Sequence, residues 1–199
     1  MNDESPTEIL NATYRTLCKH GYADLTLQDI AAESEMSKAS IHYYYESKNE
    51  LFVVFLEFLY DRYTTLIDST DSVCSREHLR SLLRMFLTDE EGRSEKEFRT
   101  AMLEMKAQAP YDDEIQTRLV EFDEYLFKRI REIISTGVDA GEFTESVAPE
   151  RIAEILTTII TGSHTRQVAI DHSVDRLYET ITTNVETQLL TSAVAEEAQ

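Results

Sequence analysis

The sequence predicts an all-α protein in which a head of three short helices is joined by a connector helix to a larger helical body. Only five glycines and three prolines occur in 199 residues, which favours long helices over a turn-rich β fold. Apolar residues recur three and four positions apart along most of the chain, as they do on the buried face of a helix. A hydrophobic share of 42%, with eight Phe and ten Tyr, is enough for a globular core.

Three short helices are predicted in the head. The first begins within the segment SPTE, where Ser5 is placed to cap it, and ends at Gly21, because glycine commonly terminates helices. The second begins at Leu25 or Thr26 and reads LQDIAAES. The third begins after Ser37, which is placed to cap it, and runs to about Tyr45.

A connector helix is predicted over about residues 48–68. Ser47 precedes it and Glu50 stands three residues further on, which is the spacing of a capping box. Its apolar residues cover two faces, so we expect it to be packed on both sides.

Five helices are predicted in the body, at 75–88, at 94–107, from Pro110 to Gly137 or Gly141, at 149–170 and at 173–193. The last two carry apolar stripes that a monomer would leave in water and a symmetry mate could cover. The stripes are Ile152, Leu156, Ile159 and Ile160 in one helix, and Val174, Leu177, Ile181, Val185 and Leu189 in the other.

A tight turn between the second and third short helices is typical of a helix-turn-helix, whose last helix enters the major groove of DNA. Residues 9–51 also resemble the DNA-binding head of the tetracycline-repressor (TetR) family along their whole length. The matching residues are IL at 9–10, Ala12, GY at 21–22, Thr26, DIA at 29–31, MSKASI at 36–41, the aromatic run to Tyr45, SK at 47–48, and Leu51.

The resemblance implies a DNA-binding domain at residues 1–50 and a helical ligand-sensing and dimerisation domain at 51–195. It implies a transcriptional regulator: a repressor that a small-molecule ligand releases from a pseudo-palindromic operator. The implied partners are double-stranded DNA, a second copy of the chain bound through the last two helices, and an effector. Half-sites would then lie roughly 34–36 Å apart or somewhat more.

The predicted DNA contacts lie mainly on the third short helix. Its outer face comprises Ser37, Lys38, Ala39, Ser40, His42 and Tyr43, whereas Ile41 points inward. Thr26 offers a hydroxyl to a phosphate at a helix start, although a plain N-cap explains it equally. Tyr44 and Lys48 occupy positions where the family holds the DNA backbone. The aromatic run could instead be core, which we expect of Tyr45, while Tyr43 and Tyr44 are predicted to be exposed.

Position 35 departs from the family pattern, because Glu35 stands where the turn usually has glycine. A left-handed backbone there would cost a residue with a side chain about 1–2 kcal/mol. The turn is therefore expected either to differ slightly or to be mildly strained.

The net charge of −19 has the wrong sign for a protein that binds phosphates. An acidic surface with six Lys against thirteen Arg is expected of a halophilic protein, since molar salt screens charges over about 3 Å. The alternative is an ordinary acidic protein that meets no nucleic acid. Because the head is itself acidic, we expect DNA binding to depend less steeply on salt than is usual.

Candidate ligand contacts in the body are Phe86, Met102, Met105, Phe122, Tyr125 and His164. Methionine often lines adaptable sites, but Met and Phe at helical spacing also form ordinary cores. Both interpretations remain open for these six residues.

Two other classes of function are supported less well by the sequence. An enzyme is not expected, because the sequence contains no glycine-rich phosphate loop, HExxH motif or nucleophile elbow. No cofactor or metal is expected either, although Asp171-His172 near His164 leaves a metal site open. A helical protein-interaction module that has lost DNA binding is the alternative to the regulator. An acidic N-terminus and a most apolar stretch, residues 51–60, that is too short to span a bilayer predict a cytoplasmic protein.

Overall fold

The computed structural model describes residues 4–88, 93–173 and 175–189, and these form nine α-helices, one 3-10 helix and no strand. The all-α prediction is therefore confirmed. The helices are α1 (Glu4–Asp24), α2 (Leu27–Glu33), α3 (Lys38–Tyr44), α4 (Lys48–Asp68), α5 (Ser75–Leu87), α6 (Arg93–Gln108), a 3-10 helix (Ala109–Tyr111), α7 (Asp113–Asp139), α8 (Pro149–Ile170) and α9 (Asp175–Leu189).

The helix bounds differ from the predicted ones mainly at two ends. Helix α1 continues to Asp24, but its path is broken at Gly21, where φ is 71° and ψ is 165°. That backbone conformation is essentially restricted to glycine. Helix α9 begins at Asp175, whereas Val174 and residues 190–193 of the predicted helix lie outside the described residues.

The first of two compact units consists of residues 4–63 and 93–122. Its core joins Ile9 and Ile30 of the short helices to Phe52 of α4 and Met105 of α6, all four of them fully buried. Helices α1, α2 and α3 therefore share a core with α4, α6 and the beginning of α7. The domain limits of 1–50 and 51–195 remain predictions, and the packing unit extends beyond the first of them.

The second unit consists of residues 64–88 and 123–189, without residue 174. Helix α5 packs against both α8 and α9, and most of the predicted stripes are buried in this unit, namely Ile152, Leu156, Ile160, Val185 and Leu189. The expectation that a monomer would leave these stripes in water is therefore wrong, because α5 already packs against the two helices that carry them. The outer face of α8 instead exposes Ile155 and Gly162.

None of the helices in the described ranges has both the length and the apolar character that crossing a bilayer requires.

Candidate nucleic-acid interface

A capping box begins α2. The backbone N–H of Asp29 donates to the Thr26 hydroxyl oxygen (3.3 Å), and the backbone N–H of Thr26 donates to the Asp29 carboxylate (2.9 Å). The Thr26 hydroxyl also donates to that carboxylate (2.6 Å), and these hydrogen bonds lower the pKa of Asp29. Thr26 is exposed, but Asp29 already accepts its hydroxyl proton. The N-cap role is present, and a phosphate contact by Thr26 remains a prediction.

The turn from α2 to α3 contains Glu35 in the left-handed region, with a φ of 56°. Hydrogen bonds hold both sides of the turn: Ser34 N donates to Ile30 O (2.9 Å), and Met36 N donates to Ala31 O (3.0 Å). Of the two possibilities left open by the sequence, the chain therefore adopts the strained one. Glu35 therefore holds its side chain in a backbone conformation that glycine adopts at lower cost.

Helix α3 is anchored by its inner face. Ile41 is fully buried, and Tyr45 just beyond the helix is 5% exposed. The Ser37 hydroxyl accepts from Ser40 N (3.0 Å) and lies 2.8 Å from the Ser40 hydroxyl, so Ser37 caps the helix as predicted. The predicted outer face is exposed at Ser37, Lys38, Ala39, His42 and Tyr43, with Ser40 half-buried.

The three tyrosines that end this helix have different environments. Tyr43 is 83% exposed, Tyr44 is half-buried against the core, and Tyr45 is buried. The rings of Tyr43 and Tyr44 meet edge to face, with centroids 5.0 Å apart. The predicted positions of Tyr43 and Tyr45 are confirmed, whereas Tyr44 is less exposed than predicted because part of its ring packs inward.

Lys48 is bound to its own chain. Its Nζ donates to Tyr22 O (2.5 Å) and lies 4.1 Å from the centroid of the Tyr22 ring. Burial lowers the pKa of this ammonium. An ammonium carries three donors, so the hydrogen bond to Tyr22 leaves others available. Sequence reasoning missed Tyr22 as its partner, since the two residues are 26 positions apart.

Two further cations of the head form ion pairs within it. Arg15 donates to both Glu8 (2.7 Å) and Glu33 (2.9 Å), and Lys19 donates to Glu33 (2.6 Å). Glu33 thereby ties α1 to α2. Lys38 is exposed on α3, and its ammonium has no hydrogen-bond or ion-pair partner within the described ranges.

The six candidate ligand contacts are divided between the two units. Met102, Met105 and Phe122 belong to the core of the first unit. In the second, His164 Nε2 lies 3.1 Å from Phe86 O, and the Tyr125 hydroxyl donates to Asp68 (2.7 Å). A narrow cavity in the second unit is lined by α5, α9 and Phe143 and includes none of the six. Groups of three or more potential metal ligands are not found among the described residues.

An exposed helix braced by two others, with a capped start and a tight preceding turn, defines a DNA-binding protein of the helix-turn-helix class. The sequence profile of "Bacterial regulatory proteins, tetR family" matches residues 9–54, and that of the C-terminal domain of "BetI-type transcriptional repressor" matches residues 75–190. The chain belongs to the TetR family of transcriptional regulators, as the sequence predicted.

Individual relatives agree with this assignment. A TetR transcription regulator from Haloarcula marismortui has a similar crystal structure, with a TM-score of 0.87, 35% identity, and coverage of 94% of this chain and all of that one. The HTH-type transcriptional regulator Rv1556 of Mycobacterium tuberculosis is 28% identical over 151 residues, or 75% of this chain and 71% of that protein. A transcriptional regulator from Saccharomonospora viridis, solved in complex with choline, shares the fold (TM-score 0.81, 20% identity, coverage 96% and 100%).

Proposed function

We propose that this regulator is a repressor that binds a pseudo-palindromic operator as a homodimer and is released by a small-molecule ligand. The observation that carries the proposal is the exposed outer face of α3, held in place by buried Ile41. The match of residues 75–190 to BetI-type repressors supports repression. Binding to the chromosome places its action in the cytoplasm.

The proposed DNA contacts are of two kinds. Ala39, Ser40, His42 and Tyr43 face the base edges, where small side chains allow close approach and Ala39 suits a thymine methyl. The residues that hold phosphates are Thr26, Ser37, Lys38, Tyr44 and Lys48, through hydroxyl and ammonium donors. Phosphate contacts position a protein on DNA, whereas base contacts select the sequence.

The first experiment tests DNA binding. The purified chain is incubated in high-potassium buffer with duplex DNA from upstream of its own gene. We expect the chain to bind the duplex saturably and to protect two stretches of DNA that are related by a two-fold axis. Absence of retention at every salt concentration would favour the protein-interaction module instead.

A second experiment tests the phosphate contacts with Tyr44→Phe and Lys48→Ala. Each variant is expected to bind more weakly than the unaltered protein, and by a similar factor on specific and unrelated duplexes, because phosphate contacts carry no sequence information. The control is Lys128→Ala, which removes an exposed lysine of α7. Unchanged affinity in both test variants would remove these two residues from the interface.

The homodimer is proposed to form through the outer face of α8 together with α9. Ile155 is 46% exposed, and a side chain built at Gly162 would meet no atom of the described residues within 4 Å. Gly162 lies about two turns from Ile155 on the same face of α8, and an exposed glycine on that face suits close approach of a second helix. Ile155→Lys is expected to halve the mass measured by light scattering, whereas Glu124→Lys on α7 should leave it unchanged. A dimeric Ile155→Lys variant would contradict this interface.

The ligand site is proposed to involve Phe86, Tyr125 and His164 in the second unit. Met102, Met105 and Phe122, which belong to the core of the first unit, stay separate candidates. The choline found in the Saccharomonospora relative supports a small-molecule effector. Choline and the low-molecular-weight fraction of a cell extract are therefore the first probes. Either probe is expected to release the bound duplex from the unaltered protein. Neither probe is expected to release it from Tyr125→Ala.

A further inference from the structure

Glu104 contacts the chain at the break in α1. The backbone N–H of Tyr22 donates to Glu104 Oε2 (3.1 Å). A side chain built at Gly21 would lie 3.4 Å from Glu104 Oε1, so the carboxylate packs directly against the residue at which the helix is broken. Both residues belong to the first unit.

The same residue, Tyr22, holds Lys48 at the start of α4. Its carbonyl accepts from Lys48 Nζ (2.5 Å), and its ring lies under that ammonium. The Tyr22 ring also meets Phe52 of α4 edge to face, with centroids 4.8 Å apart. One residue therefore bonds to α6 through its N–H and to α4 through its carbonyl and ring.

We propose that Glu104 is a positioning residue for DNA binding: its carboxylate orients Tyr22, and Tyr22 in turn fixes Lys48 and the first turn of α4 beside the recognition helix. This inference rests on the DNA interface proposed above. Gly21 leaves the backbone free to adopt several conformations, and the hydrogen bond from Tyr22 N selects one of them. Without that bond, the Tyr22 carbonyl is no longer held toward Lys48.

Charge alone makes the opposite prediction, which allows a sharp test. Glu104→Ala and Glu104→Gln each remove one negative charge from a chain of net charge −19, so simple electrostatics predicts equal or tighter DNA binding in both. Glutamine keeps an oxygen that can accept from Tyr22 N, whereas alanine does not. If Glu104 positions Lys48, the alanine variant alone should lose affinity.

The experiment measures binding of the full chain to duplex DNA from upstream of its own gene. We expect affinity to fall about tenfold in Glu104→Ala, or about 1.4 kcal/mol, and to change less than about twofold in Glu104→Gln. The double variant Glu104→Ala/Lys48→Ala should bind about as well as Lys48→Ala alone, because the two residues act through one path. Melting temperatures identify any loss that reflects unfolding.

Equal affinities of the alanine and glutamine variants would overturn the proposal, as would full additivity in the double variant. Should Glu104→Ala not fold, Glu104→Met replaces it, since methionine has a similar length and no oxygen acceptor. Failure of the unaltered protein to bind at any salt concentration would instead remove the DNA interface itself, and this role of Glu104 with it.

Discussion

Glu35 has an unfavourable backbone conformation in the turn between α2 and α3. Its φ of 56° costs a residue with a side chain about 1–2 kcal/mol. Glycine avoids that cost. Its greater backbone freedom in the unfolded chain, however, favours unfolding by about 0.5–1 kcal/mol and offsets part of the gain. We therefore expect Glu35→Gly to stabilise the protein by about 0.5–1 kcal/mol, seen as a melting temperature about 1–4 °C higher.

The matched control for this prediction is Glu35→Ala. Alanine removes the same charge but keeps a Cβ in the left-handed conformation, so it should not gain the stability that glycine gains. An equal rise in both variants would show that charge, and not backbone strain, limits stability at this turn.

The roles of several residues of the candidate interface could be predicted from local signals in the sequence. Ser37 was predicted as a cap and Ile41 as the anchor, because both roles depend on neighbours within one helix. The partner of Lys48 was not predictable in the same way, since Tyr22 meets it only after the first unit has packed. Tyr44 fell between these cases, because a half-buried ring satisfies neither an inward nor an outward pattern.

At the level of elements, α5 is capped by a residue far along the chain. Glu142 accepts hydrogen bonds from Ser75 N (3.3 Å), Arg76 N (3.2 Å) and Cys74 Sγ (3.1 Å), while Cys74 provides no side-chain cap. Glu142→Ala should therefore lower stability by about 0.5–2 kcal/mol, as the loss of a helix cap does. Denaturant titration measures the change, and Glu145→Ala, an exposed glutamate of the same connection, should have little effect.

The contribution of Glu142 should also depend on pH. The hydrogen bond from Cys74, followed by those from the two backbone N–H groups, lowers the pKa of this carboxyl in the folded state. A lowered pKa means that the stabilisation is present above the ordinary glutamate value and is lost as the pH falls through the folded value. The melting temperatures of the unaltered protein and Glu142→Ala should therefore converge in acid. A constant difference at all pH values would contradict the capping role of the ionised carboxylate.

The end of α7 packs against the loop that follows it. A Cβ at Gly137 would overlap the ring of Phe143, which is 2% exposed. Gly137→Ala should therefore destabilise the protein by about 1–3 kcal/mol through overpacking. The double variant Gly137→Ala/Phe143→Leu should recover part of that loss if steric overlap is the cause, and a simple sum of the two losses would exclude it.

The helices themselves could be predicted because apolar spacing, caps and glycines lie within each of them. The first residues of α3 and α4 follow from Ser37 and Ser47. Which stripes face the interior could not be predicted, since Ile152 and Leu156 are apolar whether another helix of the chain or a second copy covers them. The capping of α5 by Glu142 could not be predicted for another reason, because 67 positions separate Glu142 from Ser75.

At the scale of the whole molecule, the net charge of −19 decides how the protein can bind DNA. Arg15 and Lys19 are paired with carboxylates, and Lys48 is bound to Tyr22. Within the described head, Lys38 and the remaining donors of Lys48 are the lysine groups best placed to neutralise phosphates. Base contacts and hydroxyl donors must then supply more of the affinity than in a basic regulator.

The salt dependence of binding tests this distribution of charge. In the proposed dimer, two lysines in each head would neutralise about four phosphates, which predicts a slope of log K against log salt of about −3.6. Lys38→Ala removes one contact from each head and should reduce the slope to about −1.8, whereas Lys128→Ala should leave it unchanged. Fluorescence anisotropy with a labelled duplex, from low to molar potassium chloride, measures these slopes. A slope of about −7 would mean that Arg15 and Lys19 also leave their carboxylate partners when the protein binds DNA, because the four cations of each head would then neutralise about eight phosphates.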